Sequence, residues 1–367
     1  MITTPASTRL PSRGDALLPA RTGTVVKRLG WGHWWSAAGL ILAVAALAWL
    51  LWRVDLDQFL QVITDADLVF LLLLPLTIAV EQLIRAWKWR QLLLSIRSVS
   101  TLRLFAAIMA GYFTTIVIPG VSPLVRSWLV ARRESLTVAA VLATAAIDRF
   151  IDGVIFSGFV AAALVFATVP DPDGTIRLGM MVAGGGSLAL FALLLALLAR
   201  FKAAVARDGN PPVMRLIGRL PARMAEPVRR FLRAFATGIL WPRSPVRGAG
   251  ILLASVAMKL SSLTHFLWAG LAFGVTLRPS EYLFLMVFLG FFHILIHFTR
   301  IPGGGVLGSI FALELLGVAE EQALAMALLV QAASMLTVTA IGAVAFWRSG
   351  VALDDLRIAR NDLTARA

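Results

Sequence analysis

A chain of 367 residues that is 59% hydrophobic, only 15% charged and has a mean hydropathy of +0.84 is not a soluble globular protein, in which about 25% of residues are charged. The absence of cysteine excludes disulfides, a thiolate nucleophile and thiolate metal sites. The net charge of +14 gathers in the N-terminal tail and in residues 85–103, 126–133 and 200–247, which marks a cytoplasmic membrane face rather than a nucleic-acid site, since no soluble domain is left to carry one.

Residues 1–33 are rich in Pro, Ser, Thr and Arg and read as a disordered cytoplasmic tail. The first membrane half, 34–201, opens on an apolar run at 34–52, long enough to cross a bilayer and bounded by tryptophans. Asp55 and Asp57 follow in an outer loop. A second span is expected at 68–87, with Glu81 and Arg85 one turn apart, and the basic run Arg85, Lys88, Arg90, Arg97, Arg103 returns the chain to the cytoplasm. The apolar stretch 104–118 then meets Pro119, Gly120 and Pro123, which no helix runs through unbroken, and reaches Arg126. A full crossing there puts Arg126, Arg132 and Arg133 outside, against the charge rule. A re-entrant hairpin keeps them inside.

Residues 136–168 form a long apolar run interrupted by Asp148, Arg149 and Asp152, charges that a bilayer penalises and that must pair with one another or with Arg126. Pro170 to Gly174 is a turn sequence, and 178–201 is a fourth span with a small-residue face at Gly184, Gly185 and Gly186. Residues 202–247 form a basic linker. Within it, 212–240 is amphipathic, kinked at Pro221 and Pro227, and suited to anionic lipid of the inner leaflet. The second half, 248–348, carries spans at 251–273, 282–298 and 322–347, and 349–367 is a tail. Together these make an all-α polytopic membrane protein of about seven to eight transmembrane helices in two pseudo-repeated halves.

Ile-Pro-Gly stands at 118–120 and again at 301–303, about half a chain apart, and the second copy continues as Gly304 and Gly305 after Arg300. Broken helices at matching places in two membrane halves point to a transporter's binding site. Candidate substrate contacts are therefore Pro119, Gly120, Arg126, Asp148, Arg149, Asp152, Arg300, Pro302, Gly303, Gly304 and Gly305. His293 and His297 have the spacing of a helical metal pair but lack a third ligand nearby, so no metal is assigned. Asp171 and Asp173 are read as turn residues. No nucleotide-binding fingerprint or nucleophile elbow is present, so no cofactor and no catalytic residue is assigned.

The stretch Gly111 to Arg126, the run Ala131-Arg132-Arg133-Glu134, the pair Asp148-Arg149, and Pro302-Gly303-Gly304 followed by Leu316-Gly317-Val318 resemble the lysylphosphatidylglycerol synthase transmembrane family, a flippase-like domain of bacteria. The chain departs from the family pattern at Pro123-Leu124, where a Gly-Glu or Gly-Asp is usual, and at Gly308-Ser309, where a glutamate is usual. The resemblance implies a lipid-translocating protein of the bacterial plasma membrane with a cytoplasmic N-terminus. Its partners would be lipids with phosphate-bearing headgroups, bound by Arg126 and Arg149 with Asp148 and Asp152 holding the arginines, and a transporter rather than an enzyme is expected. Two alternatives stay open: a membrane glycosyltransferase that uses Asp55 or Asp57, and a non-catalytic subunit of a lipid- or glycan-modifying enzyme. Oligomeric state, as homo-oligomer or partner complex, is also open.

Overall fold

The computed structural model describes residues 56–117, 120–167, 171, 173–208, 212–218, 221–299 and 303–348, and among these every regular element is a helix. The first predicted span, both tails, Asp55, Pro119, Arg300 and Pro302 lie outside the described residues.

A short helix α1 (Leu56–Thr64) leads into α2 (Leu68–Leu93), whose first turn is capped by Asp67 accepting from the Val69 N–H at 2.8 Å. Asp57 therefore belongs to the first turn of a helix, not to an outer loop: apolar residues at 56, 59, 60 and 63 give α1 an amphipathic face, and Phe59 packs on the second-half core. Next come α3 (Thr101–Val117) and α4 (Ser122–Glu134), joined across the first Pro-Gly break. They are followed by α5 (Val138–Phe166) and α6 (Thr175–Asp208). Asp171 caps α6 by accepting from the Ile176 and Arg177 N–H groups. The basic linker forms α7 (Pro212–Ile217) and α8 (Ala222–Gly238), separated at Pro221, while Pro227 stays inside α8. The second half is α9 (Pro245–Ala272), α10 (Pro279–Thr299), α11 (Gly304–Leu315) after the second break, and α12 (Glu320–Arg348). Helices α2, α5, α6, α9 and α12 are each long and apolar enough to span a bilayer.

The order long, hairpin, long occurs twice: α2, α3–α4, α5 and then α9, α10–α11, α12. The packing follows the same symmetry. Helix α2 lies along α9, α3 lies on α12, and α10 lies correspondingly on α5. The repeats are inverted. The Asp67 N–H, at the start of α2, donates to the Ala272 carbonyl, at the end of α9, at 3.0 Å, so these partners run antiparallel. Arg103 Nη1, at the start of α3, pairs with Glu134 Oε1, at the end of α4, at 3.1 Å, so the first hairpin opens and closes at one end of the bundle. Arg133 reaches the Arg348 carbonyl at 3.4 Å, which puts the end of α12 at that same end. The second hairpin's mouth lies at the other end, where Gln322 donates to the Phe273 carbonyl and Val275 packs with Val318. Two hairpins entering from opposite sides are the arrangement of inverted-repeat transporters.

Glycine makes the closest crossings possible. A Cβ on Gly342 of α12 would lie 2.6 Å from the Met109 carbonyl of α3, and one on Gly290 of α10 would lie 2.4 Å from the Phe156 ring of α5. The second span also exceeds its predicted limit. Lys88, Trp89, Leu92 and Leu93 are buried in the bundle, because α2 continues through the basic run to Leu93 and turns Lys88 inward.

Candidate functional site

Three helices each place a polar stripe at helical spacing on their inner face: Glu81, Arg85 and Lys88 on α2, Asp148 and Asp152 on α5, and Ser255, Lys259 and Ser262 on α9. Asp148 and Ser255 each stand ten residues from the basic end of their helix, roughly 15 Å along the axis and so near half the depth of a bilayer core of about 30 Å. The stripes meet. Lys88, fully buried, lies 2.8 Å from Asp148 Oδ1, donates to Asp152, and reaches Ser255 Oγ at 3.2 Å. Arg85 pairs with Glu81 at 3.0 Å and approaches Asp152 at 3.8 Å. Glu81 also accepts from Ser262 at 3.1 Å and faces His265 Nε2 at 3.6 Å. This group ties the two halves together across the α2–α9 contact.

Beside it stand cations that form no pair with a carboxylate among the described residues. Arg126, on α4 just past the first break, is 1% exposed; its guanidinium lies 5.1 Å from the centre of the Trp89 ring, and among the described residues its Nε and Nη2 have no hydrogen-bond acceptor. Trp89 is itself fixed by donating to Thr144 Oγ1 at 3.0 Å. Gly111 lets α4 come this near: a Cβ there would lie 3.1 Å from the Ser122 carbonyl and 3.2 Å from Arg126 Cβ. Arg149 is exposed and donates to the Tyr112 hydroxyl at 3.3 Å. Lys259 sits over the Phe156 ring at 5.1 Å.

The pairing expected from the sequence is thus corrected. Asp148 and Asp152 bind Lys88 and Arg85, not Arg126 and Arg149, because the α2 stripe faces α5 directly. Arg126, Asp148, Arg149 and Asp152 do converge in one region, as their spacing around the first hairpin requires. Gly120 adopts φ +80° at the turn into α4. At the second break Gly303 caps α11 with φ +74°, a left-handed backbone that favours glycine. Gly304 is buried, and a Cβ on Gly305 would stand 3.6 Å from His293 Nε2 and 3.7 Å from Gln331 Oε1. His293 Nδ1 donates to the Leu289 carbonyl at 2.8 Å, which leaves Nε2 on the side of Gly305. The side chain of His297 lies outside what is described. Lys88, Trp89, Tyr112 and Lys259 were missed as site residues. The positions of Glu81, Arg85 and Lys88 at i, i+4 and i+7 were the available signal for Lys88, and for Lys259 it was a charge deep in an apolar run.

Inverted repeats, two opposed hairpins and a charged cluster at mid-depth define an integral, multi-pass membrane protein. The family model of the lysylphosphatidylglycerol synthase TM region matches residues 36–342, and the chain belongs to this family of flippase-like membrane domains. Neither a curated protein nor a solved structure matches it.

Proposed function

We propose that this protein moves a lipid with a phosphate-bearing headgroup across the plasma membrane, with the headgroup passing the charged cluster between the two hairpins. The observation that carries this reading is Arg126: a guanidinium at mid-depth, buried against Trp89, with two nitrogens that lack an acceptor among the described residues. Its planar fork suits paired phosphate oxygens, and exposed Arg149 supplies a second donor on the open side of the cluster. The Lys88 and Arg85 pairs with Asp148, Asp152 and Glu81 act as the frame that holds α2, α5 and α9 while the hairpins admit the ligand.

The basic end of the bundle, with Arg90, Arg97, Arg103, Arg132, Arg133 and Arg348, is assigned to the cytoplasm by the charge rule. Helix α8 lies at that end, its Gly238 against the Ala140 carbonyl, and exposes Arg223, Arg230 and Arg233 together with Met224 and Phe231. That mixture fits contact with anionic inner-leaflet lipid. The test is reconstitution of the purified chain in liposomes with fluorescent lipids. Movement of phosphate-bearing lipids, without movement of a neutral glycosyl diacylglycerol, is expected; equal movement of both would remove the headgroup site.

A further inference from the structure

The two hairpins match in position but not in charge. Gly120 and Gly303 open α4 and α11 with the same left-handed backbone, and counted from them α5 and α12 begin within one position of each other. On that count Ser309 stands where Arg126 stands, Gln331 where Asp148 stands, and Gly305 where Ser122 stands. These second-half residues meet. His293 Nε2 and Gln331 Oε1, from α10 and α12, both reach one point beside Gly305, 3.6 and 3.7 Å from where a Cβ would stand. Ser309 Oγ donates to the Gly305 carbonyl at 2.8 Å. The result is a polar notch at the second break, built of an imidazole, an amide and a hydroxyl.

His293 and Gln331 are exposed, yet they stand roughly 21 and 16 Å along their helices from the end opposite the basic one, inside a bilayer core of about 30 Å. Polar side chains open at that depth face water or a polar ligand, because hydrocarbon penalises them. The notch is also level with the charged cluster. Gly290 of α10 packs on Phe156 of α5, and these helices run in opposite directions. One turn from that contact toward the basic end, α5 carries Asp152 and α10 carries His293.

Resting on the headgroup reading above, we propose that this notch binds neighbouring hydroxyls of a polyol, a sugar or a cyclitol, carried on the phosphate. The end of Gln331 presents both an acceptor and donors, and His293, with Nδ1 engaged, presents Nε2. The pair therefore answers hydroxyls, which both give and take hydrogen bonds. Neither side chain supplies the negative charge that pairs with an ammonium headgroup. The phosphate stays with Arg126, and the two hairpins divide the headgroup between them.

Binding to the full chain in detergent micelles tests this. Dioleoylphosphatidylinositol and dioleoylphosphatidylethanol share tails and a singly charged phosphodiester, and differ in the polyol. The inositol lipid is expected to bind about tenfold more tightly, the effect of two hydrogen bonds. Gln331→Leu and His293→Leu are each expected to lower the inositol lipid toward the level of the ethanol lipid at unchanged melting temperature, and to leave the ethanol lipid unaffected. His293→Gln, which keeps a donor and an acceptor, is expected to retain the preference. Equal binding of the two lipids by the parent, no binding of either, or a Gln331→Leu protein that keeps the full preference overturns the proposal. Free myo-inositol in excess identifies the source: displacement of the inositol lipid shows that the notch also holds a free polyol, and no displacement shows that it takes the polyol only on lipid. Both results support a polyol site. Arg126→Ala separates this proposal from the headgroup reading, because it is expected to weaken both lipids alike. If Arg126→Ala binds both lipids as the parent does while Gln331→Leu loses the preference, the notch stands and the phosphate reading at Arg126 falls.

Discussion

Lys88 Nζ lies 2.8 Å from Asp148 Oδ1 while also donating to Asp152, so one ammonium joins α2 to two successive turns of α5. Removing it leaves two buried carboxylates facing each other. Lys88→Met is therefore expected to cost about 3–5 kcal/mol, enough to lower the melting temperature or prevent accumulation. Lys88→Met combined with Asp148→Asn and Asp152→Asn should regain most of that loss, because no buried charge is then unanswered. Thermal unfolding in detergent reads both outcomes, and a single variant as stable as the parent would show that the frame is not held by this pair.

Arg126 behaves in the opposite way. Among the described residues it touches Trp89 and no carboxylate, so Arg126→Ala strands no partner charge there and should leave the melting temperature within a few degrees of the parent or above it. Arg126→Lys keeps the charge but loses the fork. Lipid flux in the Lys variant should fall several-fold at unchanged stability. Adding Asp148→Asn to Arg126→Ala should rescue nothing, since Asp148 belongs to Lys88.

Much of the architecture was legible in the sequence because a bilayer leaves few alternatives. A Pro-Gly break inside an apolar run, followed by arginines that must stay on one side, forces a hairpin, and the Arg103–Glu134 pair closes that hairpin at one end. The partner of Asp148 was not legible. Lys88 stands in a run with Arg85, Arg90, Arg97 and Arg103 that reads as a cytoplasmic edge, and only the continuation of α2 to Leu93, set by tertiary packing, turns it inward. The inversion of the repeats was hidden for the same reason. It depends on which helix ends meet, as Asp67 and Ala272 do, and no local pattern encodes that.

The glycines separate by mechanism. Gly303→Leu meets nothing within 4 Å, but its φ of +74° makes any side chain strained, by about 1–2 kcal/mol. Flux should drop while membrane insertion persists. Gly342→Leu drives a Cβ to 2.6 Å from the Met109 carbonyl and should destabilise by about 1–3 kcal/mol or more through separation of α12 from α3. Gly185→Leu, which meets open space on α6, is the control and should match the parent in melting temperature and in yield.

Topology can be read by single cysteines in this cysteine-free chain. Positions 97, 133 and 215 should label from the cytoplasm, and positions 57 and 173 from outside. Opposite labelling of 97 and 133 would break the first hairpin, whose two ends the structure joins at Arg103 and Glu134.

The central claim is that a phosphate-bearing headgroup crosses at Arg126, and the most direct measurement is lipid movement by the parent and by Arg126→Ala in matched liposomes. The account predicts movement of a phosphate-bearing fluorescent lipid by the parent, and movement reduced at least about tenfold in Arg126→Ala, at equal reconstituted amount and unchanged melting temperature. Full movement in the Ala variant would contradict it.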